Sequence, residues 1–274
     1  MAITGIGPAK IPNLGLGTFQ MDPGGTADLV RAALAEGYRH IDTAQAYGNE
    51  ESVGQGIRDS EVPRDQIFLT TKILPARHDA ESFRLAAEES LQKLGTDYVD
   101  LLLLHWPSKE VPLQETLPVL DALIDEGKVR FGGVSNFTIA LLEEAKSVMS
   151  HVIAANQVEF HPFIDQRNLM SAMEAMSIPF EAYSPLARGD VMEDTTLKEI
   201  AAQHDATPAQ ISVSWILHKG GIAIPKTSKE KRLAPNLAAA EISLSDDEVA
   251  RIDGLARPDG RLISPDSMAP DWDD

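Results

Sequence analysis

The chain reads as an α/β protein built as a (β/α)8 barrel, on three grounds. Short apolar or β-branched runs recur eight times, amphipathic helical patterns lie between them, and the glycine fingerprint of an open nucleotide-binding sheet is missing. In order, the runs are LGLGTF (14 to 19), RHID (39 to 42), IFLTTKI (67 to 73), YVDLLLLHW (98 to 106), VRFGGVS (129 to 135), VIAANQVEF (152 to 160), IPFEAYS (178 to 184) and GIAIPK (221 to 226). Strands that alternate with helices pair in parallel, and the LLLL before His105 is apolar in both side-chain directions, as a strand covered on both faces must be. Between the runs, Phe83, Ala87, Leu91 and Leu94 fall on one helical face, as do Leu113, Leu117, Leu120 and Ile124. Helix starts are marked at Thr207, an N-cap followed by Pro208, and by capping-box spacing from Thr196 to Glu199 and from Ser245 to Glu248. After the first run the chain reads GLGTFQ instead of G-x-G-x-x-G, and there is no G-x-x-x-x-G-K-[ST] phosphate loop.

No repeat or linker divides the chain, so one domain is expected over residues 1–274, with a tail from about 256 to 274 that loses periodicity and gains proline and aspartate. A length of 274 residues with 43% hydrophobic content suffices for a large core. The net charge of -18, from 42 acidic and 24 basic residues, repels phosphate backbones and anionic lipid, which excludes nucleic acid and membrane as partners. Such a surface also suits a salty cytosol, although many mesophilic proteins are acidic. No apolar run is long enough to span a membrane, and the first residues lack the pattern of a secretory leader, so a cytoplasmic location is expected. Without cysteine there are no thiolate ligands and no cysteine nucleophile. The seven histidines show neither H-x-H nor H-E-x-x-H spacing, which argues against a metal-dependent hydrolase, and no metal is expected.

Barrels of this type carry their chemistry at the C-terminal ends of the strands. Polar residues at those ends are Asp42, Lys72, His105, Ser135 with Asn136, Gln157, Tyr183 with Ser184, and Lys226 with Thr227, and Tyr47 follows Asp42 on a glycine-punctuated loop. A phenol has an ordinary pKa of about 10 and needs a neighbouring cation to become a usable acid. Lys72 can be that cation, Asp42 can keep it charged, and His105 can align a substrate oxygen with Tyr47. Each residue taken singly also has a bland alternative: a hydrogen-bonded strand end for Asp42 and Tyr47, a strand-end lysine, a core histidine beside Trp106. His40 and His161 read as structural. The sequon at Asn136 has no secretory context and is discounted.

GLGTFQ, GYRHIDTAQAYGNEESVG, LTTK, LLLLHWP, GGVSNF, NQVEFHP, AYSPLARG and IPKTSKEKRLAPN together, in order from about residue 14 to 236, resemble the aldo-keto reductases, in particular the prokaryotic branch that includes 2,5-diketo-gluconate reductase. The resemblance implies reduction of an aldehyde or ketone with NADPH on a (β/α)8 barrel, and it matches Asp42, Tyr47, Lys72 and His105 as the catalytic set. It further implies that Ser135, Asn136 and Gln157 bond the nicotinamide carboxamide, that Tyr183 stacks on the ring, and that Ser184 and Leu186 border the pyrophosphate. Lys226, Thr227 and Arg232 match the segment that holds the 2′-phosphate, and Asn236 an adenine contact. Two positions depart from the family pattern. Pro235 replaces the usual Glu or Gln, which removes one adenine contact, and Phe19 stands where tryptophan is common, so that with Trp106 it is expected at the substrate pocket. A monomer acting on a small carbonyl compound is the expectation. A non-catalytic cofactor- or partner-binding module on the same barrel is the alternative. A short-chain dehydrogenase is excluded, because none of the four tyrosines has a lysine four residues on.

Overall fold

The computed structural model describes residues 4–273, so the first three residues and the last of the expected 1–274 unit lie outside it. Eight parallel strands, one from each predicted run, follow one another around the sheet: β3 (Leu16–Gly17), β4 (His40–Asp42), β5 (Phe68–Ile73), β6 (Val99–Leu104), β7 (Val129–Ser135), β8 (Ile153–Glu159), β9 (Phe180–Tyr183) and β10 (Ile222–Ala223). Parallel bridges from Leu14 to Ala223 and from Gly17 to Lys226 join the first and last of these, closing the barrel. Closure removes the unpaired sheet edges and leaves an inside whose side chains alternate with those facing the helices.

The outer ring consists of α1 (Pro23–Glu36), α2 (Glu50–Arg58), α3 (Ala80–Leu94), α4 (Leu113–Asp125), α5 (Ile139–Val148), α6 (Arg167–Met176), α7 (Thr195–Gln203) and α8 (Pro208–His218), followed by α9 (Leu233–Ala238) and α10 (Asp246–Asp253). Phe83, Ala87 and Leu94 are buried as the periodicity requires, and so are Leu113, Leu117 and Leu120. Thr207 and Ser245 each form a complete capping box. Thr196 does not: Asp194 caps α7 instead, accepting from Leu197 N at 2.9 Å. A carboxylate two residues earlier caps the same turn and gains from the helix dipole, which displaces Thr196 into the first turn.

The sequence reading missed an N-terminal hairpin, β1 (Gly5–Ile6) and β2 (Ile11–Pro12). Its two-residue strands are too short to leave a period. The hairpin plugs the lower end of the barrel, where Ile11 joins Phe68, Leu101, Leu103, Ala155 and Ile222 in a small apolar cluster. Above that plug the interior turns polar: His40, Asp42, Thr70, Lys72, Gln157 and Glu181 are all buried. Among the described residues, no helix is long and apolar enough to cross a membrane.

Candidate active site

Asp42 ends β4 and Lys72 sits two residues after Thr70 on β5, so both point into the barrel near its C-terminal mouth. The ammonium of Lys72 donates to Asp42 Oδ1 at 2.6 Å, to the Thr43 carbonyl at 2.9 Å and to Tyr47 Oη at 3.3 Å. All three ammonium hydrogens therefore have acceptors. Asp42 uses its other oxygen, Oδ2, to accept from Gln157 Nε2 at 2.8 Å. Tyr47 rides on a short 3-10 turn, Gln45–Tyr47, which Gly48 ends in the left-handed region. Its ring stands edge-on to His105, with centroids 5.8 Å apart, and 5.1 Å from the ring of Phe19.

Burial works against the charge on Lys72, but Asp42, Tyr47 and Glu181 together outweigh it, and the ammonium is held above its ordinary pKa. For Tyr47 the sequence reading expected the cation to make the phenol more acidic. In the structure burial outweighs Lys72, and the phenol lies above its ordinary value. His105 is pushed down to about 3 by burial and by Lys72, so its imidazole is neutral near neutrality. Its Nδ1 is buried without a hydrogen-bond partner.

The residues assigned to the cofactor fall into three groups. Ser135, Asn136, Gln157 and Tyr183 meet at the ends of β7, β8 and β9: Ser135 Oγ donates to the Gln157 carbonyl at 2.8 Å, Asn136 Nδ2 to the His105 carbonyl at 3.0 Å, and Tyr183 Oη to Asn136 Oδ1 at 2.8 Å. Ser184 and Leu186 lie in a tight loop in which Ser184, Ala187, Arg188 and Gly189 all have positive φ. For side chains with a Cβ such conformations cost ~1–2 kcal/mol each, so a stretch with three of them is held by its surroundings and belongs with sites where main-chain groups are aimed outward. The third group lies beyond β10. Lys226 and Arg232 are exposed, as are Lys229 and Lys231, while Thr227 and Asn236 are buried. Among the described residues, neither Lys226 nor Arg232 makes an ion pair. Thr227 Oγ1 accepts from Lys229 N at 3.0 Å and shapes the turn.

At the mouth, Phe19 is 51% exposed, as a rim residue would be. Trp106 is buried edge-on to Trp272, 6.1 Å between centroids, so it backs the tail instead of standing free. Two groups escaped the sequence reading. Glu159, at the end of β8, accepts from Leu262 N at 2.8 Å and Ile263 N at 3.0 Å, pinning the tail. Glu181, on β9, lies inside the barrel opposite Gln157. Gln157 and Tyr183 were placed at the mouth as polar strand-end residues; period-2 alternation, which puts Glu159 on the face of Gln157 and Glu181 on the face of Tyr183, is the signal that finds the other two.

The closed parallel barrel thus holds a phenol beside a buried ammonium–carboxylate pair at its C-terminal mouth, an arrangement chemically suited to proton transfer. Residues 13–257 match the Aldo/keto reductase family, and the chain belongs to that family of carbonyl oxidoreductases. It is 43% identical over 267 residues to methylglyoxal reductase DkgB of Yersinia pestis, covering 96% of this chain and 100% of that protein. It is 38% identical to glyoxal reductase of Bacillus subtilis (strain 168), covering 94% of each. A crystal structure assigned as a 2,5-diketo-D-gluconic acid reductase B superposes with a TM-score of 0.97 at 40% identity, over 100% of this chain and 98% of that one.

Proposed function

We propose that this chain, as one cytoplasmic, monomeric barrel domain, reduces an aldehyde or ketone with hydride from NADPH while Tyr47 supplies the proton. The observation that carries the reading is the position of Lys72 Nζ, 2.6 Å from Asp42 and 3.3 Å from Tyr47 Oη. NADPH, when bound, supplies the hydride to the carbonyl carbon. The residues at hand fit such a group: amide and hydroxyl side chains at Ser135, Asn136 and Gln157 suit a carboxamide, Tyr183 offers a ring face, and the left-handed loop at Ser184 to Gly189 suits a pyrophosphate. Lys226, Thr227 and Arg232 suit a 2′-phosphate. Asn236 remains for the adenine, and Pro235 offers no hydrogen bond there.

The chemistry of the chain's own residues follows. A carbonyl oxygen at the mouth accepts hydrogen bonds from Tyr47 and from neutral His105. As that oxygen becomes an alkoxide it is far more basic than a phenolate, so it takes the Tyr47 proton although the phenol is a weak acid. Lys72 then stabilises the phenolate left behind, and Asp42 keeps Lys72 charged throughout. Phe19, Trp106 and the tail wall the pocket. The relatives named methylglyoxal and glyoxal reductase direct the choice of substrate toward small dicarbonyls. The test is NADPH absorbance with purified protein and a panel of methylglyoxal, glyoxal and a diketo sugar. Consumption with at least one of them is expected, and none with any would overturn the reading.

A further inference from the structure

Below Lys72 and Asp42 lies a buried pair that the reaction above does not use. His40 Nδ1 is 3.3 Å from the Pro12 carbonyl, and His40 Nε2 is 3.2 Å from Thr70 Oγ1 and 3.5 Å from Glu181 Oε1. Both residues are fully buried. Gly15 packs so closely against the imidazole that a Cβ there would come within 2.7 Å of Nδ1, so the ring is wedged in place.

This geometry fixes how many protons the pair holds. A carbonyl can only accept, so Nδ1 carries a hydrogen for Pro12. If Nε2 carries one too, the imidazole is cationic and Glu181 is its counter-ion. If it does not, Nε2 can accept from the Thr70 hydroxyl, and a bare Glu181 carboxylate would be left buried with no donor to either oxygen. In both cases a single dissociable proton lies between the two groups and the pair is neutral. Neither Glu181 oxygen has a hydrogen-bond partner, and His40 Nε2 stands at ion-pair distance from Oε1, an unfavourable setting for a carboxylate. Burial, with Asp42 adding to it, pushes Glu181 up to about 8, and burial pushes His40 down to about 4. Both directions place the proton on Glu181.

The charges facing the pair are few. Lys72 and Asp42 lie above it and cancel, Gln157 faces Glu181 from β8, and Tyr47 stands at the mouth beyond Lys72. Asp100 also acts on His40, but it is paired with Arg64 and Arg130. A second negative charge beneath Lys72 would therefore have no other cation to meet.

We infer that His40 and Glu181 share one buried proton, resting on Glu181 at neutral pH, and that Glu181 is thereby a positioning residue which keeps the acid strength of Tyr47 from falling. While the proton stays, Asp42 is the one carboxylate that Lys72 serves, beside the Thr43 carbonyl and Tyr47. When it leaves at alkaline pH, the new carboxylate competes for Lys72, the phenolate loses stabilisation, and proton delivery to substrate slows. The role in turnover rests on the reading of Tyr47 as the proton donor; the proton itself does not.

Infrared difference spectroscopy of the whole protein across a pH titration tests the proton. Wild type should lose the carbonyl stretch of a protonated carboxylic acid as pH rises through about 8, the value to which Glu181 is pushed, and Glu181→Gln should lack that band. Absence of the band in wild type at neutral pH, or its persistence in Glu181→Gln, overturns the inference. Single-turnover reduction then tests the role. One pH unit above the midpoint, the wild-type rate relative to its neutral value should fall about threefold or more below the same ratio for Glu181→Gln, since most of the pair has by then lost its proton. Superimposable profiles would overturn the positioning role. Should Tyr47→Phe in that case also turn over like wild type, the failure is traced to the reading of Tyr47, and the shared proton stands on its spectrum alone.

Discussion

Lys72 is the residue on which the site turns. Replacing it by methionine leaves Asp42 buried with only the Gln157 amide as partner. Removing one member of a buried ion pair costs ~3–5 kcal/mol, so Lys72→Met should lower unfolding free energy by that order in denaturant titration, and adding Asp42→Asn should recover part of it. The surviving activity of Lys72→Met should depend more steeply on pH, because the phenol has lost its neighbouring cation. Stability should report the shared proton as well. In an unfolded chain the His40 and Glu181 pair loses its proton near the ordinary histidine value of 6.5, whereas folded it keeps it to about 8. Between those values the native state binds more protons, so stability falls as pH rises. Glu181→Gln, which holds no such proton, should lack this decline, and the difference in melting temperature between variant and wild type should grow from neutral to mildly alkaline pH. Asp42, Lys72 and His105 were legible in the sequence because polar groups at strand ends announce themselves, and Tyr47 because it follows Asp42 on a glycine-punctuated loop. Glu181 was not, because it lies within IPFEAYS and not at the strand end, and only its two-residue step from Tyr183 marks it as facing the lumen.

At the level of elements, all eight barrel strands could be read from apolar runs bounded by turn residues, even where, as in β3 and β10, only two residues qualify as strand. Long periodic segments speak through repetition, and short ones do not, which is why the hairpin at Gly5–Pro12 and the cap at Asp194 emerged only in the structure. The tail was legible as aperiodic but not as docked. Its docking depends on tertiary partners far away in sequence: Glu159 for the Leu262 and Ile263 amides, the Phe163 carbonyl for Arg257 N at 3.0 Å, and Trp106 for Trp272. Gly260 sits so tightly on the Phe163 carbonyl that a Cβ would overlap it. Glu159→Gln should weaken this latch by ~1.5–3 kcal/mol, the range for hydrogen bonds to charged groups. The expected result is about tenfold or greater loss of hydrogen-exchange protection at residues 262 and 263, with amides of the barrel strands unchanged.

Across the whole molecule, a net charge of -18 meets a local reversal of sign at Lys226, Lys229, Lys231 and Arg232, all exposed. That patch was visible in the sequence as KTSKEKR, and its place beside the C-terminal mouth follows from the bridge between Gly17 and Lys226. If it holds a 2′-phosphate, Arg232→Ala should cost ~1.5–3 kcal/mol of NADPH affinity and leave NADH affinity nearly unchanged, as titrations at fixed salt would reveal. Equal affinities of the wild type for the two cofactors would remove the 2′-phosphate site without touching the tetrad. Among the described residues, no group of three or more His, Asp or Glu could hold a metal ion, and EDTA should leave turnover intact. The central claim, that Tyr47 delivers the proton, is tested most directly by single-turnover NADPH oxidation in Tyr47→Phe, with NADPH binding measured in parallel. A positioned acid is typically worth ~10²- to 10⁴-fold, so hydride transfer should slow by that factor while NADPH still binds; wild-type single-turnover rates in Tyr47→Phe would contradict the account.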